Sequence, residues 1–190
     1  IDGADAEGAG RLLVSSPTLA LGYLFADGSS EAIGTELATS DLTSLDAEGA
    51  LSVLGRADDV IITGGRKVLP QDVERAIDRS LMLRGLVRSA VVVGVPDAEW
   101  GQRVEALVTL EAGVEPAEAA SLVRSALRTT EVPSFMIPKR VHVVQELPLL
   151  GIGKIDRSAA RRVATAASLA EGGATVFAFD LAASIEQAPA

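Results

Sequence analysis

Cysteine is absent from this chain of 190 residues, and histidine occurs once, at His142. The first absence removes disulfides, thiolate metal sites and Cys nucleophiles. The second leaves no histidine partner for a metal site. Basic residues are in the minority, with 17 Lys and Arg against 26 Asp and Glu and a formal net charge of −9. A surface for nucleic acid or anionic membrane needs clustered Lys and Arg, so neither partner is expected. No apolar run approaches the roughly 20 residues needed to cross a bilayer. The first residues, Ile1-Asp2-Gly3-Ala4-Asp5, lack the basic and apolar regions of a signal peptide. A cytoplasmic protein fits these absences. The chain does not begin with Met, and its start reads as a cut inside a longer polypeptide, although processing would explain it equally.

Apolar residues are not in short supply. They make up 48% of the chain, enough for one core, or for a small domain plus a fragment of another. Residues 1–57 read as short strands and turns. Arg11–Ser15 and Leu51–Leu54 are strand-like, and Gly28-Ser29-Ser30 and Asp46–Gly49 are turn clusters. After Asp59 the pattern changes. Val60–Thr63, Gly64-Gly65 and Arg66–Leu69 read as a hairpin with a two-glycine turn. Pro70 suits the first turn of a helix whose apolar face is Val73, Ile77 and Leu81. Ala90–Val95, Val104–Leu110 and Val141–Val144 read as strands. Pro116 opens a second helix with Leu122, Val123, Ala126 and Leu127 on one side. Asp156 or Ser158 caps a third that runs through Val163. From Ala164 the chain is Ala-rich with few large anchors, and a loosely attached tail is expected over 164–190.

Two segments about ninety residues apart join glycines to fixed charges: Gly55–Lys67 and Pro148–Arg157. In the second, Gly151-Ile152-Gly153-Lys154 places a Lys on a loop whose glycines permit close approach to another surface. Such a Lys delivers a point charge to a phosphate or carboxylate. The loop is not a P-loop, because Pro148 stands at the first glycine position and Ile155 where Ser or Thr should follow. Alone, it would be a solvated surface turn. Asp58-Asp59 alone would be a solvated turn too, but the change of pattern there favours an interdomain hinge at this pair. Gly64-Gly65 leaves room for a slender ligand to pass, with Arg66 and Lys67 beside it to meet phosphates. Asp41 alone is a turn or cap residue, yet an ionised carboxylate there also suits a ribose diol. His142 lies mid-strand and is expected to be structural. Trp100 is a half-exposed packing residue, with stacking on an adenine as the functional alternative.

Four blocks in order carry a resemblance: Thr39-Ser40-Asp41, Gly55–Asp59, Gly64 to Glu74, and Pro148 to Arg157. Over roughly residues 9–163 the chain resembles the C-terminal part of the adenylate-forming acyl-CoA synthetase and ligase superfamily. Its wording is most similar to that of the o-succinylbenzoate–CoA ligases of menaquinone biosynthesis. The resemblance implies an α+β fold: a small C-terminal domain with a β-hairpin and a three-stranded sheet flanked by helices, preceded by a β-rich remnant of a large N-terminal domain. Boundaries follow at 1–57, 58–163 and the tail 164–190. It implies a two-step reaction, in which ATP and a carboxylic acid give an acyl-adenylate and CoA then displaces AMP. ATP and CoA are substrates, and Mg2+ accompanies ATP with ligands outside these residues; no metal site is expected within them.

By the same resemblance Lys154 is the adenylation lysine. Asp41 and Arg56 bind the nucleotide, Asp58 is the hinge, and Gly64, Gly65, Arg66 and Lys67 shape the pantetheine tunnel. The partners implied are o-succinylbenzoate or another carboxylic acid and the N-terminal domain; a homo-oligomer is left open. Two departures stand out. Ser40 precedes the ribose aspartate where Gly is common, and Asp72 stands where Glu is usual. Neither the Ser/Thr/Gly-rich phosphate loop nor the acyl pocket lies in these residues, so they are expected to be inactive alone. The competing readings are another aryl or fatty acid–CoA ligase, a peptide-synthetase adenylation domain, or a freestanding module that binds CoA or a carrier protein without catalysis.

Overall fold

A computed structural model describes residues 1–4, 8–80 and 83–170. The chain divides into two compact units, the first Ile1–Asp58 and the second starting at Asp59. The division falls one residue beyond the 57/58 boundary expected from sequence.

In the first unit, β1 (Ala9–Val14), β4 (Leu37–Leu45) and β5 (Leu51–Arg56) form an antiparallel sheet in the order β1-β4-β5. Between β1 and β4, the short strands β2 (Gly22–Leu24) and β3 (Ser30–Ala32) pair with each other. Asp27 closes their turn by accepting from the Ser29 amide and hydroxyl. Strand β4 was not apparent in the sequence. Its centre, Thr39-Ser40-Asp41, has the composition of a turn, and cross-strand pairing overrides that local preference.

The second unit is a layered α–β–α arrangement. Strands β6 (Ile61–Thr63) and β7 (Arg66–Val68) form the expected hairpin. Gly64 and Gly65 have φ of +55° and +76°, the left-handed pair that a tight two-residue turn demands. Strand β8 (Val87–Asp97) runs antiparallel to β9 (Gly101–Leu110), and β10 (Arg140–Val143) lies parallel to β9 on its other side. The hairpin joins these three through the Thr63–Gly101 pairing, so hairpin and sheet are one five-stranded structure.

Helices α1 (Pro70–Arg79) and α2 (Pro116–Arg128) each begin with proline, whose missing N–H costs nothing in a first turn. Helix α3 (Arg157–Ala170) follows Asp156, which accepts from the Ala159 amide at 2.9 Å as its cap. The two faces of β8 and β9 explain their apolar runs. Val92, Val104, Ala106 and Val108 pack with Val73, Ile77, Val123 and Leu127 of α1 and α2. Val91, Val93, Val95 and Leu107 pack with Ala160, Val163 and Ala164 of α3. Alternate residues thus enter different cores, and a strand covered on both sides shows no polar alternation.

Two expectations are amended. Leu122 of α2 is only half-buried, and Ala119 takes its place on the packed face. The third helix does not stop at Val163. It continues to Ala170 with Ala164 and Ala167 buried, because small side chains let it lie close against the sheet. No loose tail therefore begins at 164; residues 171–190, like Leu81, lie outside the described residues.

Candidate functional site

The first unit brings three of the expected residues together. Asp41 and Arg56 are direct partners across β4 and β5. An Arg56 Nη lies 3.8 Å from the Asp41 carboxylate, and the other lies 3.3 Å from Asp58. Thr39 fixes the strand locally: its hydroxyl donates to the Leu12 carbonyl and accepts from the Asp41 amide, both at 3.1 Å. A hydrogen bond from Ser40, followed by the Arg56 guanidinium, holds the Asp58 carboxyl below the ordinary carboxylate range. Asp41 keeps part of its carboxylate open to solvent.

In the second unit, Lys154 sits on a small closed loop. The Leu150 amide donates to the Lys154 carbonyl at 2.7 Å and the Gly153 amide to the Leu150 carbonyl at 2.8 Å. The Asp156 amide donates to Pro148 at 2.8 Å, and Leu149 bridges Ile155. Gly153 takes φ +78°, which a side chain would oppose. The backbone is held while the Lys154 side chain is exposed, and among the described residues no carboxylate forms an ion pair with it. Leu149, Leu150 and Ile152 around it are exposed as well.

Three residues on, Arg157 enters a packed ion-pair node. It makes two 2.8 Å bonds to the Glu74 carboxylate of α1, donates to the Val92 carbonyl at 3.1 Å, and lies 3.3 Å from Asp59. Glu74 also accepts from the Val92 amide at 2.8 Å. Burial alone would lower the affinity of Arg157 for its proton, but Glu74, with Asp59 behind it, raises it.

The hairpin turn does more than leave space. The Gly64 amide donates to the Trp100 carbonyl at 2.9 Å, and a Cβ on Gly64 would meet the Trp100 ring at 2.8 Å. Gly65 faces open space. Gly64, Thr63, Arg66, Trp100, Phe135 and Lys139 line a groove of about 350 Å³, with Arg66 stacked 4.7 Å over the Phe135 ring. Lys67, on the other side of its strand, and Gly65 do not line it. The sequence reading missed Phe135 and Lys139, and nothing local announces them: they lie about seventy residues after the hairpin and meet it only through the fold.

His142 has a structural partner. Its Nε2 lies 2.7 Å from Glu105, which is fully buried in β9 and also accepts from Arg103 at 2.6 Å and from the Ser168 hydroxyl. Burial pushes the Glu105 carboxyl up, but these hydrogen bonds outweigh it and hold the group below the usual range. Among the described residues no cluster of three His, Cys, Asp or Glu could hold a metal ion. Nor is any helix among them long and apolar enough to cross a membrane.

Residues 76–154 match the AMP-binding enzyme C-terminal domain. The chain is 40% identical over 155 residues to a probable 2-succinylbenzoate–CoA ligase of Mycobacterium tuberculosis, covering 79% of this chain and 38% of that protein. It is 38% identical over 165 residues to the medium/long-chain-fatty-acid–CoA ligase FadD8 of the same species, covering 80% and 27%. Among solved structures it is similar to the o-succinylbenzoate CoA synthetase MenE of Bacillus subtilis in complex with its acyl-adenylate intermediate. There the TM-score is 0.62 at 29% identity, over 79% of this chain and 30% of that one. The chain thus spans well under half the length of these relatives, and what it shares with them is the C-terminal part of an adenylate-forming enzyme.

Proposed function

We infer, from the AMP-binding enzyme C-terminal domain that residues 76–154 carry, that this chain is the C-terminal portion of an ATP-dependent carboxylic acid–CoA ligase, with o-succinylbenzoate as the acid. The observation that supports it most is Lys154: an exposed ammonium with no ion-pair partner among the described residues, on a loop closed by its own backbone hydrogen bonds. In the first half-reaction the acid attacks the α-phosphorus of ATP, giving acyl-AMP and pyrophosphate. Negative charge grows on the phosphoryl and acyl oxygens, and a cation aimed there lowers the barrier. Lys154 supplies that cation. Asp41 accepts hydrogen bonds from the ribose hydroxyls, and Arg56, in register with it, adds charge beside the nucleotide. Mg2+ enters with ATP. The described residues offer no ligand cluster for it.

In the second half-reaction the CoA thiol attacks the acyl carbonyl and AMP leaves. The lysine loop must withdraw, and rotation at Asp58 brings up the hairpin face. The groove beside Gly64 has the chemistry of a CoA nucleotide site: the Trp100 and Phe135 rings for the adenine, Arg66 and Lys139 for phosphates. A cytoplasmic enzyme is part of this reading.

The test is Lys154→Ala in the full-length protein. Adenylation should fall on the order of a hundredfold or more, while thioester formation from preformed acyl-adenylate is largely spared. Equal loss in both halves would refute the assignment. The 190 residues alone should form no acyl-CoA. The likeness to FadD8 sustains a second reading, with a medium or long-chain fatty acid as substrate. Comparing kcat/KM for o-succinylbenzoate and fatty acids, with CoA and with holo carrier protein as acceptors, decides between them.

A further inference from the structure

The neighbouring carboxylates Asp58 and Asp59 are bound in opposite directions. Asp58 is exposed and pairs backward with Arg56, 3.3 Å away, within the first unit. Asp59 is largely buried and pairs forward with Arg157, 3.3 Å away, within the second. The division between the units falls between these two residues. Arg157 is one of the points at which the lysine loop is fastened to the body of the second unit, beside Leu147 and Ile155, which pack on the α3-facing core. Through it the chain three residues after Lys154 is tied to Glu74 of α1 and to the Val92 carbonyl of β8. The hairpin face also has ties to the sheet outside this node. It is held by the Thr63–Gly101 pairing and by the Ile62 amide, which donates to Gln102 at 2.7 Å.

We propose that Asp59 and Arg157 are positioning residues that form a strut between the pivot and the Lys154 loop, so that rotation at Asp58 reaches the ammonium without slack. This rests on the reading of Lys154 given above. A displacement of about 1 Å in a group that must meet a transition state is enough to cost around a hundredfold in rate. The strut therefore serves the adenylation half-reaction, and the hairpin face works without it.

The experiment uses the full-length protein and measures the two half-reactions separately. Asp59→Asn keeps the shape and removes the charge. It should slow adenylation on the order of tenfold at an unchanged KM for ATP, and leave thioester formation from preformed acyl-adenylate at its original rate. Arg157→Lys, which loses the bidentate grip, should do the same to a larger extent. Combining Asp59→Asn with Lys154→Ala should add no further loss beyond Lys154→Ala alone, because the strut acts only through the lysine. Additive losses, equal losses in both half-reactions, or an unaffected Asp59→Asn enzyme would each overturn the strut while leaving the role of Lys154 intact. An unimpaired Lys154→Ala enzyme would overturn both.

Discussion

The two units bury their side chains to very different degrees. Every buried apolar residue among those described lies at Ile61 or beyond. The second unit fills both faces of its sheet, one with α1 and α2, the other with α3. The first unit is held by a hydrogen-bonded sheet whose large apolar residues are at most half-buried, and several stay outside: Leu21 is 95% exposed, Leu24 80% and Val53 61%. Burial is the main favourable term in folding, so one unit carries its own stability and the other presents apolar faces for something else to cover. In the proposed enzyme that cover is the rest of the large N-terminal lobe. A catalytic lid that moves as a body needs a core of its own, and a strip of a larger domain does not.

The sharpest way to break this comparison is to attack the second unit where it is dry. Leu107→Ala removes a fully buried side chain from the α3-facing core and should cost about 2–5 kcal/mol. Glu105→Ala should cost a similar amount, about 3–5 kcal/mol, because it strips a buried partner from Arg103, His142 and Ser168 together. Urea unfolding of each variant checks both. A loss under about 1 kcal/mol at Leu107 would mean that the core is not the source of stability.

Acid gives a smaller, reversible probe. The folded-state pKa of Glu105 lies below its unfolded value. Its stabilising contribution is therefore complete above the ordinary carboxylate range, roughly pH 4.3, and disappears as pH falls through the folded value. Urea midpoints between pH 6 and 3 should fall for the native protein and fall less steeply for Glu105→Gln. Identical slopes would remove Glu105 from the account.

Gly64→Ala comes next. It opposes a positive φ and drives a methyl into the Trp100 ring, at a cost of about 1–3 kcal/mol. Gly65→Ala meets only the backbone penalty and should cost about 1 kcal/mol. Equal thermal shifts for the two would deny that the ring contact matters. The smallest effect belongs to the first unit: Val53→Ala, on an exposed strand position, should stay within about 0.5 kcal/mol in the 190-residue chain.

The second unit was far easier to read from sequence than the first, and for the same physical reason. Its hairpin, prolines and apolar runs each report a local cause: a left-handed turn, a helix start, a strand covered on both faces. Strand β4 carries no such mark, since Thr39-Ser40-Asp41 is polar and its strand form is dictated by β1 and β5 alone. The site divides likewise. Lys154, Asp41 and Arg56 were singled out through the four resembling blocks, since alone the lysine loop reads as a solvated turn and Asp41 as a turn or cap. The groove and the strut were not, because Glu74 meets Arg157 across 83 positions and Phe135 meets Arg66 only once the sheet is built.

The seating of Trp100 against Gly64 has an optical consequence. These 190 residues contain a single indole, and it lies half in solvent on the wall of the groove beside the hairpin. Its emission colour and quenching should therefore follow that groove filling and emptying without any attached dye, while the indole-free first unit contributes no tryptophan signal to blur the readout.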